Sequence, residues 1–221
     1  MKVTAPGVWR YAPWLPGCTS QRDRAGHLLP LARAVTLGEG GTPLVHLPRW
    51  GAAHGLSRVY AKLELTNPSG SFKDRGMAVL VTVARDAGAH HLVEDSSGNA
   101  GAAAAAYAAR AGMTCTVYAP AGAPPAKLRQ IRAYGAELVA VPGPRSAVAA
   151  AARAAGSAPG WYHVSHNDNP LFLAGNKTFA FELLEALTRL TAGVPSSEFA
   201  VPGSEFAVPG SGLIANPEPG T

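Results

Sequence analysis

The chain has 221 residues, 47% hydrophobic and 15% charged, which excludes a disordered or fibrous protein and allows one sizeable core or two small ones. Its net charge of +5 comes from scattered basic residues with few aromatics among them, so a nucleic-acid surface is not expected and an anionic small-molecule partner is compatible. No apolar run is long enough to span a bilayer, and Cys18 and Cys115 lie far apart without metal-ligand spacing, so the expectation is a soluble protein of a reducing compartment, the cytoplasm, with no membrane and no metal.

Residues 1–35 are rich in Pro, Trp and Arg and aperiodic, and read either as an arm wrapped on a body or partner subunit or as an ordinary irregular terminus. Leu15-Pro16-Gly17-Cys18 faintly resembles a lipobox, but no apolar run precedes it. In "LGEGGTPL" at 37–44 the glycines force a tight turn and Thr42-Pro43-Leu44 begins an extended segment. Residues 57–65 are apolar and β-prone and predict a strand. The Ser/Gly/Pro turn "NPSGSFKDRG" at 67–76 follows, and a helix is expected over 77–87 with Gly88 just past its end.

From there strand and helix alternate at short intervals. Strands are predicted at 91–94, 114–118, 137–141 and 161–164, and helices at 100–111, 126–134 and 145–155. Cys115 falls inside a strand and reads as a small core residue. Such alternation argues for parallel βαβ units, whose ligands sit beyond the carboxyl ends of the strands. The Lys73 turn and the Ser97-Gly98-Asn99 turn both fall at such ends and could face one cleft. Pro170–Leu190 reads as one helix with Phe172, Phe179, Leu183 and Leu187 on its apolar face. After Gly193, "SEFAVPG" at 197–203 is repeated without change at 204–210, too short for a solenoid repeat, and the Pro- and Gly-rich end reads as disordered.

Three stretches carry candidate chemistry. In the first, Lys73 can present its amine to a ligand lying over the turn near a helix N-terminus; a free lysine amine, with a pKa of about 10.4, is a poor nucleophile at neutral pH. The same string also fits a charged first turn, with Asp74 favoured by the helix dipole and Lys73 and Arg75 solvated. In the second, "SSGNAG" at 96–101, small residues leave backbone N–H groups free for an anion or a ring oxygen, and Asn99 adds a side-chain donor; a capped helix with glycine turns looks the same. In the third, "NPLFLAGNKT" at 169–178, Lys177 and two amides near a helix start could bind a phosphate or be a solvated first turn, and the spacing is not that of a P-loop. The histidines show no ligand spacing and read as surface or satisfied core, and Asp95, beside the serines, could be catalytic but reads better as a capping carboxylate.

Taken together, "LGEGGTPL", "NPSGSFKDRGM", "SSGNAGAAAAAYAARAG" and "NPLFLAGNKTFAFE", in this order, resemble the fold-type II pyridoxal-phosphate enzymes, the tryptophan synthase β-like group, and within it the threonine synthases. The resemblance implies an α/β fold of two open parallel-sheet domains with the cofactor cleft between them, the large domain being incomplete here. It implies residues 1–76 as arm and first part of the large domain, 77–165 as the small domain, 166–196 as the return to the large domain, and 197–221 as duplication and tail. It implies pyridoxal 5'-phosphate held by Lys73 as an imine, with the freed amine later shuttling protons, Phe72 packed near the ring and Asn99 bonded to the ring oxygen. Ser97 and Gly98 would meet the carboxylate of an amino-acid substrate, Asn169 and Lys177 would lie on the substrate side, and a homodimer is the implied assembly.

The implied reaction converts O-phospho-L-homoserine and water to L-threonine and phosphate. A β-elimination or β-replacement enzyme of the threonine dehydratase or cysteate synthase kind is the alternative, and a non-catalytic fragment is a third reading. The family's glycine-rich phosphate loop has one candidate, around Gly210, Ser211 and Gly212, with fewer glycines than the family pattern, and the chain looks truncated beyond it.

Overall fold

A computed structural model of the chain describes residues 7–15 and 34–191. Cys18, the duplicated segment and the phosphate-loop candidates Gly210, Ser211 and Gly212 lie outside the described residues. By compactness the chain divides between Ala186 and Leu187, within the helix Thr178–Thr191, and every contact described below lies within the first unit.

The expected parallel sheet is present. Strands β3 (His91–Glu94), β4 (Thr114–Pro120), β5 (Glu137–Val141) and β6 (Trp161–His163) lie in the order β5-β4-β3-β6, and each neighbouring pair is parallel. Leu92 pairs with Cys115 on one side and Tyr162 on the other. All four residues of the central β3 are buried, as in a strand covered on both faces. A short helix α1 (Pro48–Ala53) precedes the sheet, and helices α2 (Lys73–Asp86), α3 (Asn99–Ala111), α4 (Pro125–Ala133) and α5 (Arg145–Ala155) complete the alternation. Gly88 and Gly112 follow their helices at φ 90° and 69°, the left-handed conformation that closes a helix without steric cost to glycine. Alanines from Ala100 to Ala108 fill the buried face of α3, and Met77, Val79, Leu80 and Val81 of α2 are fully buried in the same core. Cys115 is a core residue, and burial pushes its thiol up to about 12.

Four segments are more specific than the sequence pattern. The helix expected from 77 begins at Lys73, because Asp74 folds back to accept the Ser69 backbone N–H at 2.6 Å and the Ser69 hydroxyl, closing the turn early. The strand expected over 57–65 is confined to β2 (Tyr60–Lys62), followed by a 3₁₀ turn over Glu64–Thr66. It pairs antiparallel with β1 (Leu44–His46), so the turn carrying Lys73 does not directly follow a strand of the parallel sheet. The helix expected over 170–190 is two, α6 (Pro170–Asn176) and α7 (Thr178–Thr191); at the junction the Thr178 hydroxyl donates to the Gly175 carbonyl at 2.7 Å. Of the N-terminal arm, residues 7–14 form a 3₁₀ segment on the body of the unit, with Tyr11 on the Phe181 ring at 5.3 Å and Arg10 paired with Glu185 at 2.7 Å.

Helices α2 and α6 pack through glycine. A Cβ on Gly175 would lie 2.1 Å from the Arg75 carbonyl oxygen, and one on Gly76 would lie 2.4 Å from the Phe172 ring. The close approach seats Phe172 beside the first turn of α2. Gly175→Ala is therefore expected to force the helices apart and destabilise the fold by about 1–3 kcal/mol, read as a lowered urea midpoint. An unchanged midpoint would show that the crossing does not need this closeness.

Candidate active site

Lys73 is the first residue of α2 and is half-buried. Its Nζ lies 4.4 Å from the Phe72 ring centroid and 5.3 Å from that of Phe172. Among the described residues Nζ makes no hydrogen bond or ion pair, while the backbone N–H donates to the Ser71 hydroxyl at 3.3 Å. Burial lowers its pKa below the usual lysine range, and the charge of Glu94 opposes that shift. Glu94 is the last residue of β3, so the amine is electrostatically coupled to the carboxyl end of the central strand.

Five residues beyond Glu94, Asn99 opens α3 with its side chain exposed. The N-cap is Gly98, and no side chain among the described residues caps this helix, which leaves its first N–H groups with the partial positive charge of the helix terminus. Ser97 and Gly98 are part-exposed in the same turn. Helix α2 packs against α3, and Lys73 feels the charge of Glu94, five residues before Asn99.

Arg75, two residues after the lysine, does something different. It is fully buried and donates to Glu64 at 2.7 and 2.8 Å, to Glu182 at 2.9 and 2.8 Å, and to the Thr42 and Thr178 hydroxyls at 3.2 Å each. Lys62 adds a 2.8 Å bond to Glu182, which also accepts from the Gly41 backbone at 2.7 Å. Burial works against ionisation of both carboxyls, yet the hydrogen bonds from Arg75 hold them below their usual range, Glu182 at about 2. Arg75 is thus not the solvated charge that its string allows. It ties the 37–44 loop, the first turn of α2 and α7 together, and so fixes where Lys73 starts.

The third candidate stretch divides in the same way. Asn169 caps α6, its Oδ1 accepting from the Leu171 backbone at 3.0 Å and its Nδ2 donating to the Tyr162 hydroxyl at 3.3 Å. Its amide is engaged at both ends. Lys177 is exposed at the α6–α7 junction. Asp95 does not cap a helix; it is buried and pairs with Arg145 at 2.7 Å.

Sequence reasoning missed Glu94, His166 and Glu182. An acid at the end of the short apolar strand "HLVE", and another on the apolar face of "TFAFELL", are the signals that pointed to them. His166 Nδ1 and Glu94 Oε1 share a hydrogen bond of 2.9 Å, while Glu94 Oε2 is buried and has no hydrogen-bond partner among the described residues.

An unpartnered amine near two aromatic rings suits an aldehyde cofactor such as pyridoxal 5'-phosphate, and the uncapped α3 N-terminus suits the carboxylate of an amino acid presented to it. The donor set fits.

Comparison with known proteins decides the family. A sequence profile described as "Pyridoxal-phosphate dependent enzyme" matches residues 35–204, well over half of the chain. The chain belongs to the pyridoxal-phosphate-dependent enzyme family. A threonine synthase of Mycobacterium leprae is 39% identical over 181 residues, covering 80% of this chain and 49% of that protein. A threonine synthase of Methanosarcina acetivorans is 37% identical over 189 residues, covering 85% of this chain and 43% of that protein. The chain thus spans about half the length of the curated relatives it matches. Among solved structures, one of an O-ureido-L-serine synthase superposes with a TM-score of 0.60 at 32% identity, over 66% of this chain and 48% of that one. That likeness, with the family match, establishes the fold-type II α/β architecture and pyridoxal 5'-phosphate as the cofactor of this pyridoxal-phosphate enzyme. The matched residues stop short of Gly210, Ser211 and Gly212. No helix among the described residues is long and apolar enough to cross a membrane.

Proposed function

We propose that this chain is a threonine synthase-like lyase that converts O-phospho-L-homoserine and water to L-threonine and phosphate. The observation that carries the reading is the Lys73 amine, unpartnered among the described residues and coupled to the β3 carboxyl end from which the uncapped α3 turn departs. Identity to threonine synthases across four fifths of the chain supports the choice within the family.

In this reading Lys73 holds the cofactor through Nζ and, as the free amine, takes and returns protons at the substrate carbons. The lowered pKa from burial favours the neutral amine that both tasks need. When bound, the cofactor supplies the electron sink for loss of a carbon-bound proton. Asn99 donates to the ring oxygen, and the α3 N-terminus with Ser97 and Gly98 receives the substrate carboxylate. Phe72 and Phe172 flank the amine and limit water around it. Of the two candidates in the third stretch, Lys177 is the cation left for the departing phosphate, since Asn169 is occupied as a cap. The cleft between residues 77–165 and the rest, and the homodimer, belong to the same proposal.

A second reading, a β-elimination or β-replacement enzyme acting on a serine-like substrate, draws on the likeness to the O-ureido-L-serine synthase structure. One assay separates them. The protein with added cofactor is expected to release phosphate from O-phospho-L-homoserine with an equal yield of threonine. Pyruvate from serine or 2-oxobutyrate from threonine, without that release, would replace the first reading by the second, and no turnover of any of them would leave a non-catalytic fragment.

A further inference from the structure

Two groups meet at the Phe172 ring, and a third is bonded to one of them. Lys73 Nζ lies 5.3 Å from its centroid, and the His166 ring stands edge-on to it with centroids 5.9 Å apart. Glu94, fully buried at the end of β3, is bonded to His166 at 2.9 Å and keeps its second oxygen without a partner among the described residues. A buried carboxylate with one satisfied oxygen is an expensive arrangement, since a charge taken out of water needs compensation. The α3 alternative for satisfying it is absent: the first turn of α3 carries no charged side chain.

We propose that Glu94 and His166 form a positioning pair for Lys73, a buried carboxylate anchored by an imidazole that governs whether the lysine amine keeps its proton. The hydrogen bond with His166 favours the charged form of Glu94; charged Glu94 favours the protonated amine, and neutral Glu94 releases it. The other groups facing this pair are Asp95 beside it, Arg145 of α5, which pairs with Asp95, and the Cys115 thiol of β4, while His163 of β6 faces Asp95. Burial, working against the hydrogen bond with His166, pushes Glu94 up to about 7. The proposal rests on Lys73 being the cofactor lysine for its purpose, but the pair acts on the amine itself and is measurable without the cofactor.

The test is competitive acetylation of the full chain across pH, without added cofactor, with labelling of Lys73 read by peptide mass spectrometry. Glu94→Gln is expected to move the Lys73 labelling midpoint downward by about one pH unit, the size expected for loss of a nearby opposite charge. His166→Leu is expected to move it the same way by less, because Glu94 still ionises at higher pH. In the Glu94→Gln background, His166→Leu is expected to add nothing, since it acts only through the carboxylate. Lys62, buried in the Arg75 network, reports folding in each variant by staying protected. A Lys73 midpoint unchanged by Glu94→Gln in a folded protein would overturn the proposal. So would a His166→Leu effect that persists undiminished in the Glu94→Gln background, and if Glu94→Gln does not fold, an unchanged midpoint in His166→Leu does the same. Failure of the cofactor to attach to Lys73 would count against the proposed function and leave these midpoints standing.

Discussion

Arg75→Ala is expected to destabilise the protein by about 3–5 kcal/mol, the range for removing one partner of a buried charge network. The reason is what it leaves behind. Glu64 and Glu182 each accept two hydrogen bonds from the guanidinium, and both carboxyls stand in or near the interior. Lys62 reaches Glu182 alone, so Glu64 would keep its Thr42 and Asn67 contacts but no cation. Such a loss is comparable to much of a domain's whole stability. Arg75→Lys is expected to recover only part of it, since a single ammonium cannot reproduce two forked pairs. Urea unfolding followed by circular dichroism measures both. A loss below about 1 kcal/mol for Arg75→Ala would mean that the network does not hold the segments together.

Lys73→Ala, two residues away, is expected to do the reverse. Its amine makes no hydrogen bond or ion pair among the described residues, and its side chain is half-exposed, so the unfolding free energy should change by no more than about 1 kcal/mol. Covalently bound cofactor should vanish, and turnover of O-phospho-L-homoserine should fall by on the order of a thousandfold or more, the scale for loss of a positioned acid–base group. The contrast is sharp because the two basic residues sit in one short string, "FKDRG". One residue anchors the fold and the other is left for chemistry. A Lys73→Ala protein that unfolds like Arg75→Ala, or one that retains bound cofactor, would remove that distinction.

The string does not carry this difference. Lys73 and Arg75 both look like first-turn charges; what separates them are Glu64, eleven residues back, and Glu182, more than a hundred residues on. Glu182 sits in a segment whose apolar period reads as a single helix, and the same period hides the break at Lys177, which arises from the Thr178 bond to Gly175. The parallel sheet is legible because three of its helices are bounded by local signals, Gly88, Gly112, Pro125 and Gly135, that act within a few residues. The antiparallel pairing of β2 with β1 is not, since a β-prone run says nothing of its partner. Asn99 and Lys73 are legible as candidates because both open helices after glycine-rich turns. The Glu94–His166 pair becomes visible only when the sheet brings residues 72 positions apart within hydrogen-bond distance.

The central claim is that Lys73 is the residue through which this chain holds pyridoxal 5'-phosphate. The direct measurement mixes the purified full chain with the cofactor, reduces the product with borohydride, and maps the modified peptide by mass spectrometry. The account predicts visible absorbance of a lysine-bound cofactor and one dominant reduced adduct on Lys73, absent from Lys73→Ala. An adduct spread over exposed lysines such as Lys177, or none on Lys73, would contradict it.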